Sequence, residues 1–79
     1  MKIPRDLDAA DLIGLLCRHF GYTRVHQVGS HVILETDEPV HHRIAIPNHN
    51  PIRIGTLSSI LNAVSAVKQI DKKEILRRL

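Results

Sequence analysis

Residues 22–36 read YTRVHQVGSHVILET, and this stretch decides the fold. Two runs rich in Val, Ile, Thr and Tyr, 22–28 and 31–36, are separated only by Gly29 and Ser30. β-Branched and aromatic residues favour strands, and a two-residue loop with glycine first marks a type II′ hairpin, whose first turn residue needs a positive φ. The turn predicts a register: Val28 opposite His31, Gln27 opposite Val32, His26 opposite Ile33, Val25 opposite Leu34 and Arg24 opposite Glu35. One face then carries Val25, Gln27, Val32 and Leu34, and the other Arg24, His26, His31, Ile33 and Glu35.

Outward from the hairpin the period changes to that of helices. On the N-terminal side Asp8 is a cap candidate, Asp11 complements the helix dipole, and Leu12, Ile13, Leu15, Leu16 and Phe20 recur at helical spacing before Gly21, predicting a helix over 8–20. On the C-terminal side a third strand is expected over His42–Ile46, ending at Pro47, with Ile44 and Ile46 inward and Arg43 and Ala45 outward. After the turn material 48–51, apolar Leu57, Ile60, Leu61 and Val64 form the stripe of a half-buried helix beginning at Gly55-Thr56. Asp71 and Glu74, three apart, resemble a capping box opening a last short helix over 71–78, with Ile75, Leu76 and Leu79 available for packing.

The expected class is α+β, in the order α-β-β-β-α plus a short C-terminal helix: one domain over 1–79 with its core over 8–66. A three-stranded sheet needs cover, so the helices are expected on the face of Val25, Val32, Leu34, Ile44 and Ile46, leaving the other face open.

Seventy-nine residues exclude a two-domain enzyme. With 3% aromatic residues, one Phe, one Tyr and no Trp, the chain cannot build a multi-ring stacking platform for single-stranded nucleic acid. Eleven Lys and Arg against eight Asp and Glu, with six histidines besides, favour a polyanionic partner. The single cysteine, Cys17, cannot form an internal disulfide and reads as a small core residue, so the reducing cytoplasm is the expected compartment. Neither a membrane span nor a signal-peptide stretch is expected, and no membrane partner.

On the expected open face, Arg24, His26, His31 and Arg43 converge, two guanidinium forks suited to phosphate and two imidazoles suited to proton transfer. Solvated polar residues on the outer face of a sheet are the plain alternative. Metal binding is not expected: His41 and His42 are adjacent, hence on opposite faces of a strand, and His49 lies in a separate turn. Cys17 and His19 face different sides of one helix, and no phosphate loop, nucleophile elbow or paired carboxylates are present.

Gly21-Tyr22, Gly29-Ser30-His31, Ile46-Pro47-Asn48-His49 and Gly55-Thr56-Leu57-Ser58-Ser59-Ile60-Leu61 together resemble, in order and spacing, the HicA toxins and their YcfA-like relatives. The resemblance covers residues 8–64. It implies a fold similar to the double-stranded-RNA-binding domain, a metal-independent mRNA interferase without cofactor, and a HicB-like antitoxin partner with which the toxin can form oligomers. It points to His31, which follows the glycine-serine turn held by Gly29 and Ser30, as the catalytic residue. His26 stands where the family commonly has arginine, and Arg24, two residues back, is the candidate substitute. No glycine follows Val64 where the family's second helix often ends.

Cleavage of RNA, single-stranded or structured, requires a base for the 2′-hydroxyl proton, charge stabilisation at phosphate and an acid for the leaving 5′-oxygen. His31 is the candidate for proton transfer, Arg24 and Arg43 for phosphate, and His26 for assistance. Two alternatives stay open: a non-catalytic RNA-binding module of the same fold, and a subunit that only binds the antitoxin.

Overall fold

The computed structural model describes residues 3–79, so the first two residues of the expected 1–79 unit lie outside it. Its elements are α1 (Ala9–His19), β1 (Thr23–Val28), β2 (His31–Thr36), β3 (His42–Pro47), α2 (Ile54–Lys68) and α3 (Lys72–Arg77). The strands form one antiparallel sheet in the order β1-β2-β3, giving the expected α-β-β-β-α layout with an added terminal helix.

Each helix is set by local chemistry that only partly matches its sequence signal. Asp8 occupies the N-cap position of α1 without a side-chain cap bond. The Ala9 amide is met instead by Asn50 Oδ1 at 3.3 Å, so the turn after β3 caps the first helix. Gly21, at φ +71°, reverses the chain after α1, and the Tyr22 N–H reaches back to the Leu16 carbonyl.

α2 begins at Ile54 with Arg53 at the N-cap position, not at Gly55-Thr56, so Thr56 lies inside the first turn and does not cap it. The helix ends on Gln69, whose φ of +56° supplies the left-handed conformation that a glycine would otherwise provide. Asp71 caps α3 by accepting from the Lys73 amide at 2.9 Å. The capping box is not completed: Glu74 pairs with Arg77.

The core lies between the helices and one face of the sheet. Leu12, Leu15 and Leu16 of α1 and Leu57, Ile60, Leu61 and Val64 of α2 pack over Val32, Leu34 and Ile46. Each such side chain taken out of water contributes about 1.5–3 kcal/mol. Cys17 packs at the margin of this core as a half-buried small residue. Ile75 of α3 joins the core and Leu76 is half-buried, whereas Leu79 is exposed.

The hairpin departs from the expected register at one point. Val28↔His31, Gln27↔Val32 and His26↔Ile33 pair as the turn dictates, but Arg24 pairs with Leu34 and Thr23 with Glu35, with a bulge between Arg24 and His26. Val25 is the extra residue, and it is 48% exposed where alternation put it in the core. Arg24 correspondingly leaves the row of His26, His31 and Ile33. The physical reason is the strand's position: β1 is an edge strand exposed at all six residues, so no helix rewards an inward Val25.

Candidate functional site

The sheet face away from the core is built from three rows. Val28, His31 and Pro47 form the first, His26, Ile33 and Ala45 the second, and Glu35 and Arg43 part of the third. Ile33 is buried although it stands outside the core cluster, because it sits in the central strand with His26 on one side and Ala45 on the other.

His31 opens β2 directly after the turn and is exposed. Gly29 carries φ +58° and Ser30 does not share a positive φ, as type II′ geometry requires. The Asn48 N–H donates to the Ser30 carbonyl at 2.6 Å, which fastens the turn to the segment after β3. His31 is thereby flanked on both sides by paired strands. His26 is its diagonal neighbour across the hairpin, about 7–8 Å away between backbones.

The two expected arginines have different surroundings. Arg43 is on the open face, where Glu35 lies directly opposite and its carboxylate is 3.7 Å from the Arg43 Nε. Arg24 is turned to the side of Val32 and Leu34, where its Nη2 donates to Gln27 Oε1 at 2.9 Å. Among the described residues no carboxylate lies within ion-pairing distance of Arg24. The site therefore gathers His26, His31 and Arg43 on one face and places Arg24 around the edge of β1.

Two histidines outside this group are hydrogen-bonded. His41 Nδ1 is 2.9 Å from Asp37, which holds the imidazole above its usual pKa, chiefly through that hydrogen bond. His42 lies on the core side opposite Thr36, with Nδ1 2.9 Å from the Tyr22 hydroxyl. Burial, followed by the charge of Lys68 and His41, pushes His42 below its usual value. Lys68 itself donates to Thr36 Oγ1 at 2.8 Å and to the Glu38 carbonyl, with its ammonium 5.0 Å from the centre of the Tyr22 ring. Burial lowers the Lys68 pKa and raises that of Tyr22. This network ties the end of α2 to the loop after β2, at the opposite end of the sheet from His31. His49 is exposed in the turn after β3.

Sequence reasoning missed Gln27 and Glu35 as parts of the site. A polar residue at an inward register position, opposite Val32, was the signal for Gln27. The expected register sets Glu35 opposite Arg24; the bulge moves Arg24 to Leu34 and leaves Arg43 as the arginine opposite Glu35. Among the described residues no group of three His, Cys, Asp or Glu side chains is arranged to hold a metal ion, and no helix is long and apolar enough to cross a membrane.

The family model described as HicA toxin of bacterial toxin-antitoxin matches residues 9–71, from the start of α1 to the cap of α3. No curated protein and no solved structure gives a match. The matched span contains the whole sheet, the Gly29-Ser30 turn and His31, and the chain belongs to the HicA toxin family of bacterial toxin-antitoxin systems.

Proposed function

We propose that the protein is a toxin that acts as an endoribonuclease on mRNA in the cytoplasm and is neutralised by a HicB-like antitoxin. The observation that carries the reading is the setting of His31: exposed, at the first position of the central strand, on the face that the helices leave uncovered, one diagonal step from His26.

In this reading His31 takes the proton of a ribose 2′-hydroxyl. The resulting oxygen attacks the adjacent phosphorus, the bond to the 5′-oxygen breaks, and that oxygen is protonated by His26 or by water. The products are a 2′,3′-cyclic phosphate and a 5′-hydroxyl, and atoms and charge balance without a cofactor or oxidant. Arg43 supports the charge growing on phosphate, weakened by Glu35. Ile33, next to both imidazoles, and Ala45 beyond it on β3 offer a low, apolar floor beside them, which suits sugar and backbone contact in place of base stacking.

The test uses the purified chain, a labelled RNA and EDTA. Wild type is expected to cleave, and His31→Ala to bind equally while cleaving about 10²- to 10⁴-fold more slowly, the range for loss of a positioned acid-base group. Equal cleavage by the variant removes His31 from the mechanism. Binding without cleavage by wild type makes the protein a binding module.

A further inference from the structure

We propose that Gln27 is a positioning residue for RNA binding, holding Arg24 as a phosphate clamp on the edge of β1; the inference rests on the reading of the protein as RNA-binding. The Gln27 amide makes two bonds at once. Its Oε1 accepts from Arg24 Nη2 at 2.9 Å, and its Nε2 donates to the Gly29 carbonyl at 3.2 Å. A guanidinium can only donate and a carbonyl can only accept, so the chemistry of the two partners fixes which end of the amide faces each.

The contact depends on the bulge. In a regular strand, residues three apart point to opposite faces, and Arg24 could not meet Gln27. The extra residue Val25 restores them to one side, so that the two behave as next neighbours on a face. Both remain exposed because nothing covers the edge strand.

The charge arrangement identifies the ligand chemistry. Arg43 has Glu35 within 3.7 Å, whereas among the described residues Arg24 has no carboxylate in range, and the residue is exposed. A planar fork fixed by one bond and otherwise unpaired matches two oxygens of a phosphodiester. Arg24 stands about three rungs, roughly 10 Å, from the row of His31, so it holds a neighbouring phosphate and not the one being cleaved. Through the Gly29 carbonyl the same amide ties the clamp to the turn that carries His31. Gln27 therefore acts through Arg24 and lowers the ordering that the guanidinium must undergo on binding.

The experiment is a double-mutant cycle on binding of an uncleavable 2′-O-methyl RNA oligonucleotide, read by fluorescence anisotropy over a salt series, with urea midpoints confirming that each variant is folded. Arg24→Gln is expected to weaken binding and to lower the slope of log affinity against log salt by about 0.7, the value for one phosphate of a single strand. Gln27→Ala is expected to weaken binding about three- to tenfold, the effect of one ordinary hydrogen bond, with the slope unchanged because no charge is lost. In the Arg24→Gln background Gln27→Ala should have no further effect. With cleavable RNA, Gln27→Ala should raise KM and leave kcat unaltered. Wild-type affinity in Gln27→Ala, or the same loss with and without Arg24, overturns the proposal. Binding without cleavage by wild type defeats the nuclease reading alone, since the cycle still decides Gln27. Failure of wild type to bind RNA overturns both.

Discussion

The Tyr22 hydroxyl and His42 Nδ1 lie 2.9 Å apart, across a separation of twenty residues, with the two rings edge to face. Tyr22 is buried, and Lys68 approaches the same ring from α2. His42 is thus flanked by a hydroxyl, an ammonium and His41, with no carboxylate among the described residues bonded to it, a setting that favours the neutral imidazole. Its pKa is depressed, first by burial and then by Lys68 and His41.

The sign of the pH dependence follows from that depression. As pH falls below about 6.5, the unfolded chain takes up the proton at this position before the folded one does, so stability declines down to the folded pKa. His41 works in the opposite sense: Asp37 raises its pKa, so its contribution is present at low pH and is lost as pH rises through the raised value. Urea midpoints measured from pH 5 to pH 8 should therefore show a shallower acid decline for His42→Gln and a steeper one for His41→Gln. Parallel curves for wild type and His42→Gln would remove His42 from the acid response.

Glu35 restrains the open face, because it is the carboxylate opposite Arg43. The pair is half-exposed, with 30% of the Glu35 and 57% of the Arg43 side chain accessible, so it adds little to stability, about 0–1 kcal/mol. Its larger effect is expected on anion binding. Glu35→Gln is expected to tighten RNA binding several-fold and to steepen the salt slope by up to about 0.7, as Arg43 becomes free to neutralise a phosphate. Unchanged affinity with an unchanged slope would mean that RNA does not reach Arg43.

The contrast between Glu35 and Gln27 shows where the sequence was legible. The apolar stripe of Leu57, Ile60, Leu61 and Val64, the glycine after α1 and the Gly29-Ser30 turn are local signals, and each produced its element because the periodicity and the turn chemistry act within a few residues. His31 on the uncovered face follows from the turn, which sets the first rung, together with the alternation that turns Val32 and Leu34 inward. The bulge at Val25 does not follow: Arg24-Val25-His26 contains no glycine, and alternation alone puts Val25 in the core. Only the absence of a helix over β1 releases it, and that is a tertiary fact. The Tyr22-His42-Lys68 network was illegible for the same reason, because its members come from the connection after α1, from β3 and from the end of α2. Gln69 shows a local signal replaced: the left-handed end of α2 forms without glycine, supported by Ile70 N–H and Ser65 Oγ bonds across the cap.

The turn separates backbone strain from steric crowding. Gly29 has φ +58°, yet among the described residues no atom beyond its two chain neighbours lies within 4 Å of where a Cβ would stand, so a side chain there meets open space. Any loss on substitution is conformational. Gly29→Ala is expected to cost about 1–2 kcal/mol, the penalty of a left-handed conformation for an ordinary L-residue, seen as a lower urea midpoint with an unchanged slope. Gly29→Asn should cost less, because asparagine enters positive φ more readily although it is the larger side chain. Crowding would reverse that order, and equal losses would place the cost outside the backbone of residue 29. Because the turn fixes the first rung of the sheet, Ala at this position should also reduce RNA cleavage more than Asn does, through the placement of His31.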